Sequence, residues 1–143
     1  MEKTLSIIKP DATSKNVIGQ IIARFEKEGF QIAAMKMLAL SKDLAAKFYA
    51  VHSHLSFFQE LVDFLSSGPV VVMVLEREYA VQKNREIMGA TDPKKAEEGS
   101  LRKLYGSNVG ENAVHGSDSL ENAQKEIEFF FKKDEIVSKK NLV

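Results

Sequence analysis

One histidine dominates the chemistry open to this chain. His115 sits within Asn112-Ala113-Val114-His115-Gly116-Ser117-Asp118-Ser119. A neutral imidazole is a nucleophile towards phosphorus when one ring nitrogen is free and the other is held by a hydrogen bond that fixes the tautomer. Gly116 would let the backbone turn sharply or a ligand come close. Ser117 and Asp118 lead into an expected helix, whose free N–H groups favour an anion beside its start. The helical period places Glu126 where it could reach back towards that start, directly or through Ser117. Residue type alone leaves plainer readings open: a structural histidine, and one solvated glutamate among several.

Cations that could meet a phosphate are scattered. Lys9 ends an expected strand, Arg85 borders a helical stripe of Ala80, Val81, Ile87 and Met88, and Arg102 lies in a long stretch without clear period. A polyphosphate needs several fixed cations, because positioning and charge stabilisation are nearly all a protein contributes to phosphoryl transfer. Taken singly, each is equally ordinary surface charge. Phe57, towards the edge of the apolar face of Phe58, Leu61 and Leu65, is either a lip on a cleft or part of the core. Phe129, opposite its helix's apolar stripe, reads as a subunit contact or a lone exposed aromatic. His52 and His54 are two apart, but spacing supplies no partner to complete a metal site. No glycine precedes a lysine and no G-x-G-x-x-G occurs, so neither common phosphate cradle is available.

The elements that must position these residues follow from periodicity. Residues 3–10 alternate and are rich in Ile, which predicts a strand ended by Pro10. Ile18, Ile21, Ile22 and Phe25 have helical spacing, with Asn16 as the expected N-cap and Gly29 as the stop. Residues 31–40 predict a strand, and Ser41 caps a helix to about Ala50. Ser56 with Gln59 reads as a capping box for the next helix. Residues 70–75, Val-Val-Val-Met-Val-Leu, predict a strand buried on both faces. A helix over 79–88 stops at Gly89. The stretch from Gly89 to Asn112 reads as a loop, and loops of that length in compact domains are usually functional or mobile. Ala113-Val114-His115 predicts a short strand end. Asp118 with Glu121 caps a last helix with Leu120, Ala123, Ile127, Phe130 and Phe131 on one stripe, and the tail from Lys132 reads as mostly solvated.

The 143 residues fit one domain, 1–143, large enough for a proper core. Lys+Arg and Asp+Glu are both 20, so no overall field favours nucleic acid or an anionic membrane. There are no cysteines, which excludes disulfides, thiolate metal sites and a thiol nucleophile and suits a cytoplasmic protein. The opening apolar run is too short for a signal peptide, and no stretch approaches a membrane span. Short connections between strands favour an α+β sandwich, one small, largely antiparallel sheet with helices packed on it.

Residues 112–119 resemble the active-site signature of the nucleoside diphosphate kinases, Asn-x-x-His-Gly-Ser-Asp-Ser. Ile-Ile-Lys-Pro-Asp-Ala (7–12), Phe-Tyr-Ala-Val-His (48–52) with Phe57-Phe58, the strand from Ser67 to Glu76, the run from Asn84 to Pro93, and Gly-Ser-Leu-Arg (99–102) also resemble that family, in order along the chain. The likeness is to a bacterial-type member with a short C-terminal end. It implies a ferredoxin-like sandwich with a four-stranded antiparallel sheet. It implies ping-pong transfer of a γ-phosphoryl group from a nucleoside triphosphate to a diphosphate, through a pros-phosphohistidine on His115. Ribo- and deoxynucleotides of any base would serve, because the base is gripped only by its faces.

By the same resemblance Lys9 and Asn112 contact the ribose 3′-hydroxyl and phosphate region, and Tyr49 lines the phosphate end. Arg85 and Thr91 hold the β-phosphate, and Arg102 the transferring γ-phosphate. Phe57 and Val109 sandwich the base, while Ser117 and Glu126 hydrogen-bond around His115. Mg²⁺ arrives bridging the phosphates, with no protein cage. A homo-oligomer, tetramer or hexamer, is implied. Leu55-Ser56 stands where a basic residue and proline are usual, and Ser100 where threonine is common. A phosphohistidine carrier, or a non-catalytic binding module on the same scaffold, is the competing reading.

Overall fold

A computed structural model describes residues 1–138. Four strands form one antiparallel sheet: β1 (Glu2–Ile8), β2 (Gln31–Leu38), β3 (Val70–Arg77) and β4 (Val114–Gly116), in spatial order β2-β3-β1-β4. Helices α1 (Pro10–Ser14) and α2 (Ile18–Lys27) connect β1 to β2. Helices α3 (Lys42–Phe48) and α4 (Phe58–Leu65) connect β2 to β3. Helices α5 (Ala80–Met88) and α6 (Leu101–Tyr105) connect β3 to β4, and α7 (Leu120–Phe130) follows.

The expected four-stranded sandwich is present, but short connections are not its cause. Two helical crossovers, from β1 to β2 and from β3 to β4, each skip one strand position. The skipped place is filled by a strand running the other way, so every neighbouring pair is antiparallel.

Strand alternation divides the core in two. Leu5, Ile7, Val70, Val72 and Val74 face one side, against Ala45, Val62, Leu65, Ile127 and Phe130 of α3, α4 and α7. Ile8, Val71, Met73 and Leu75 face the other, against Ile21, Phe25, Ile87 and Leu101 of α2, α5 and α6. The central β3 is covered on both sides, which is why 70–75 reads as an unbroken apolar run. His115 pairs with Ile7 and so joins the first face; Gly116 pairs with Ser6 and joins the second.

Ser41 caps α3, accepting from the Leu44 N–H at 3.1 Å. Three other expected helix starts move. Asn16 has a positive φ of 59°, outside α2, and Val17 takes the cap position with no side-chain bond. Asparagine tolerates that left-handed turn, which competes with capping. Ser56 makes no capping box: the chain descends through successive turns from His52 to Phe58, Phe57 holds the cap position, and Gln59 bonds Asp63 instead. Ser119, not Asp118, caps α7 through the Asn122 N–H at 3.1 Å, while Asp118 binds the Asn122 side chain.

The stretch 89–112 is not a bare loop. It holds a 3₁₀ turn (Pro93–Lys95) and α6, whose cap is Ser100. Lys15 grips the Tyr105 carbonyl at 2.7 Å, and Arg24 grips that of Gly99 at 2.6 Å. The tail is less solvated than expected. Ile136 packs on the first core, and the Val137 N–H donates to the Ala33 carbonyl at 2.8 Å. The remainder of that tail, 139–143, lies outside the described residues.

Candidate active site

β4 carries His115 at the sheet edge, and α7 crosses the same face. Its Nε2 lies 2.9 Å from Oε1 of Glu126, and the Ser117 hydroxyl donates to that same oxygen at 2.8 Å. The Leu5 N–H donates to Ser117 Oγ at 3.3 Å, so the relay is anchored in β1. An ionised carboxylate can only accept, so Nε2 carries a proton, and in the neutral imidazole Nδ1 is the nitrogen that keeps its lone pair. Phe48 stands edge-on against the imidazole, with centroids 5.3 Å apart, and limits ring rotation. Tyr49 is buried next to Phe48, and burial with the nearby Glu126 charge pushes its phenol up to about 12. It is therefore a proton donor at neutral pH.

Ahead of the histidine, Lys9 Nζ donates to Asn112 Oδ1 at 2.8 Å, and Asn112 Nδ2 donates to the Thr91 carbonyl at 3.0 Å. Both Lys9 and Asn112 are buried. Desolvation, reinforced by Arg102 and only partly offset by Asp11, brings the Lys9 ammonium down to about 8. Arg102 donates to the carbonyls of Gly89 (3.1 Å) and Val114 (3.0 Å), tying the end of α5 to β4. Burial and the neighbouring Arg85 lower it to about 10. Arg85 reaches towards the Asp118 carbonyl at a long 3.5 Å.

Two clefts bear on the expected site, and the first is lined by these groups. One, of about 620 Å³, is lined by Arg85, Thr91, Arg102 and Asp118 among others. The second, about 380 Å³, lies between Phe57, Leu61 and Phe64 of the α4 region and Asn108, Val109 and Gly110 of the long connection. Phe57 and Val109 are both about half exposed, so two apolar surfaces face a slot without filling it. The structure thus groups His115 with Ser117, Glu126 and Tyr49, Lys9 with Asn112, Thr91 and Arg102, and Arg85 with Thr91 and Arg102; Phe57 and Val109 share a cleft of their own, and His54 joins none of these groups.

The arrangement is one of a free imidazole nitrogen, buried cations and a flat apolar slot. Comparison with known proteins identifies it. A family model described as nucleoside diphosphate kinase matches residues 2–136. The chain belongs to the nucleoside diphosphate kinase family. It is 66% identical over 137 residues to the nucleoside diphosphate kinase of Nitratiruptor sp., covering 96% of this chain and all of that one. It is 64% identical over 138 residues to that of Chlamydia trachomatis serovar D, covering 96% of this chain and 98% of that one. The solved Aquifex aeolicus nucleoside diphosphate kinase superposes with a TM-score of 0.93 at 51% identity, over 95% of this chain and 99% of that one. The Halobacterium salinarum enzyme, solved in complex with CDP, gives 0.92 at 39% identity, over 96% and 91%. The chain is accordingly a nucleotide-binding phosphotransferase.

For this kinase, sequence reasoning missed two supports of the site. Asp11 is buried, and its Oδ2 accepts from the Ala113 N–H at 3.0 Å. Ala113 has a positive φ of 75°, unusual for alanine, and this bond holds the turn between Asn112 and His115. Phe48 is the other. An alanine gives no hint of a left-handed backbone, so no local signal marked Asp11 as its partner. Gly116 also differs from expectation. It has no positive φ, and it needs to be glycine because a Cβ would meet Met88 Sδ at 2.9 Å and the Asn84 amide. The close approach on its Cβ side is by α5.

Proposed function

We propose that the chain works as one kinase domain that moves the γ-phosphoryl group of a nucleoside triphosphate to a nucleoside diphosphate in two half-reactions on His115. The observation that carries this is the Glu126–His115 hydrogen bond at Nε2. It leaves Nδ1 as the nucleophilic atom. In the first half-reaction the Nδ1 lone pair forms a bond to Pγ while the bond from Pγ to the β,γ-bridging oxygen breaks, and the diphosphate leaves with those electrons. The ring keeps its Nε2 proton and becomes formally cationic, a charge opposed by the Glu126 carboxylate. The second half-reaction reverses these steps towards a different diphosphate.

Phe57 and Val109 would hold the base by its faces, which supports tolerance of any base and of ribo- or deoxyribose. Lys9 and Asn112 would meet the ribose hydroxyl and phosphates, and Arg85 with Thr91 the β-phosphate. Arg102 would meet the charge that develops on the moving group, and Tyr49 and Ser117 would complete the wall around the histidine. Mg²⁺ would arrive on the nucleotide as part of the substrate, neutralising phosphate charge. Asp118 lies on the wall of the Arg85 cleft and would leave the metal held mainly by phosphate oxygens. Among the described residues no helix is long and apolar enough to cross a membrane. A cytoplasmic homo-oligomer, tetramer or hexamer, accords with the family and with more than half-exposed Met35 and Met37 on the edge strand β2.

Brief incubation with γ-labelled ATP and Mg²⁺ should leave an acid-labile label on the protein that CDP or UDP removes as triphosphate. His115→Ala should abolish both labelling and turnover while ADP binding persists. An unlabelled but active wild-type protein would eliminate the covalent route, and an unlabelled inactive one would leave a carrier or binding module.

A further inference from the structure

Asn84 is an anomaly of the buried side of α5. Helical spacing puts Ala80, Asn84 and Met88 on one line facing the sheet, and all three are buried. Asn84 has no exposed surface, yet among the described residues neither its Oδ1 nor its Nδ2 has a hydrogen-bond partner. It packs against Gly116, where an added Cβ would collide with its amide. Gly116 pairs across the sheet with Ser6, whose hydroxyl is fully buried and also unpartnered. Thr4, two residues along the same face, repeats the pattern. Four such polar atoms thus lie on the side of the sheet that carries Met73, Leu75 and Met88. Unpaired polar atoms in an apolar layer are costly, and an isosteric apolar side chain would avoid the cost.

We propose that Asn84 and Ser6, flanked by Thr4, form an internal water site between α5 and the sheet, and that through it Asn84 acts as a positioning residue for His115. The ligand must both donate and accept, because Nδ2 only donates, Oδ1 only accepts and a hydroxyl does either. The three side chains are neutral, so a bare ion would enter uncompensated. Water meets both requirements. The site lies beneath Gly116, the residue after His115, on the helix whose next residue is Arg85. It therefore sets the separation between the strand bearing the nucleophile and the helix bearing a phosphate cation. The kinetic consequence rests on the function proposed above; the site itself does not.

The test uses Asn84→Leu, Ser6→Ala and the double variant of the full chain. A bound water makes each single substitution lower the melting temperature, with the double variant close to the worse single one, since either change forfeits the same bridge. At saturating nucleotide Asn84→Leu should turn over about ten- to a hundredfold more slowly, with KM for the nucleoside diphosphate little changed. A melting temperature that rises in Asn84→Leu, or strict additivity in the double variant, overturns the water site. Unchanged turnover in a folded Asn84→Leu overturns the positioning role. A parent protein without kinase activity would refute the proposed function alone, because the melting cycle still decides the site.

Discussion

Two residues at the site carry a positive charge in surroundings that oppose it. Lys9 titrates near 8 because it is buried beside Arg102. Above that pH the free protein loses this cation, and below it keeps it. Nucleoside diphosphate binding should therefore weaken as pH rises from about 7 to 9, with proton uptake on binding near pH 8, measurable by calorimetry in buffers of different ionisation enthalpy. Lys9→Met should remove that dependence. The stability sign is the reverse: between 8 and the ordinary lysine value of 10.5 the unfolded chain holds more protons at this position, so the Lys9 contribution to stability rises with pH. Arg102 already spends two donors on the carbonyls of Gly89 and Val114. If its charge matters most as the phosphoryl group moves, Arg102→Ala should lower kcat more than it weakens ADP binding, as steady-state kinetics beside equilibrium titration would reveal. A loss confined to binding would contradict that role.

At the scale of elements, the slot depends on two segments that meet only at their tips. The α4 region presents Phe57, and the long connection presents Val109. Phe57→Ala should weaken binding of every base by about 1–3 kcal/mol, as competition titrations with several diphosphates would measure; a loss limited to one base would contradict a grip on faces alone. How legible these elements were depended on what kind of force places them. The two-faced burial of β3 and the cap at Ser41 were readable because period and side-chain chemistry point the same way. The starts of α2 and α4 were not, because backbone turns at Asn16 and at 52–58 decided them, and α7 starts one place later than expected because the Ser119 hydroxyl, not the Asp118 carboxylate, accepts from the Asn122 N–H. Residues 89–112 hid α6, a five-residue helix too short to show a period. The relay from Ser117 to Glu126 was anticipated from helical spacing, whereas Asp11 was not, since its partner is a main-chain N–H 102 positions away.

For the molecule as a whole, the sheet closes one edge with the three-residue β4 and leaves the other, β2, with Met35 and Met37 uncovered by the described residues. An oligomer that covers this edge should respond to a charge placed there. Met35→Lys should shift the mass seen by light scattering towards smaller species, and an unchanged mass would assign assembly to another surface. The fold class was legible through the family resemblance, while the ground of short connections was mistaken because helices fill the crossovers. The skipped-strand topology that makes the sheet antiparallel was not legible, because it is a fact about where crossovers land and not about any one segment.

The order of strands has a bearing on synthesis. Three of the four are complete by Arg77, but His115 and its carboxylate partner Glu126 come from the last part to emerge, and the strand and helix that carry them both pack against the first strand made. A nascent chain released before Glu126 would carry all four strand segments and both walls of the Phe57–Val109 cleft without the relay that orients the imidazole. Premature termination would also leave out Ile127 and Phe130, which cover one face of the sheet, so the ribosome must finish nearly the entire message before the core closes.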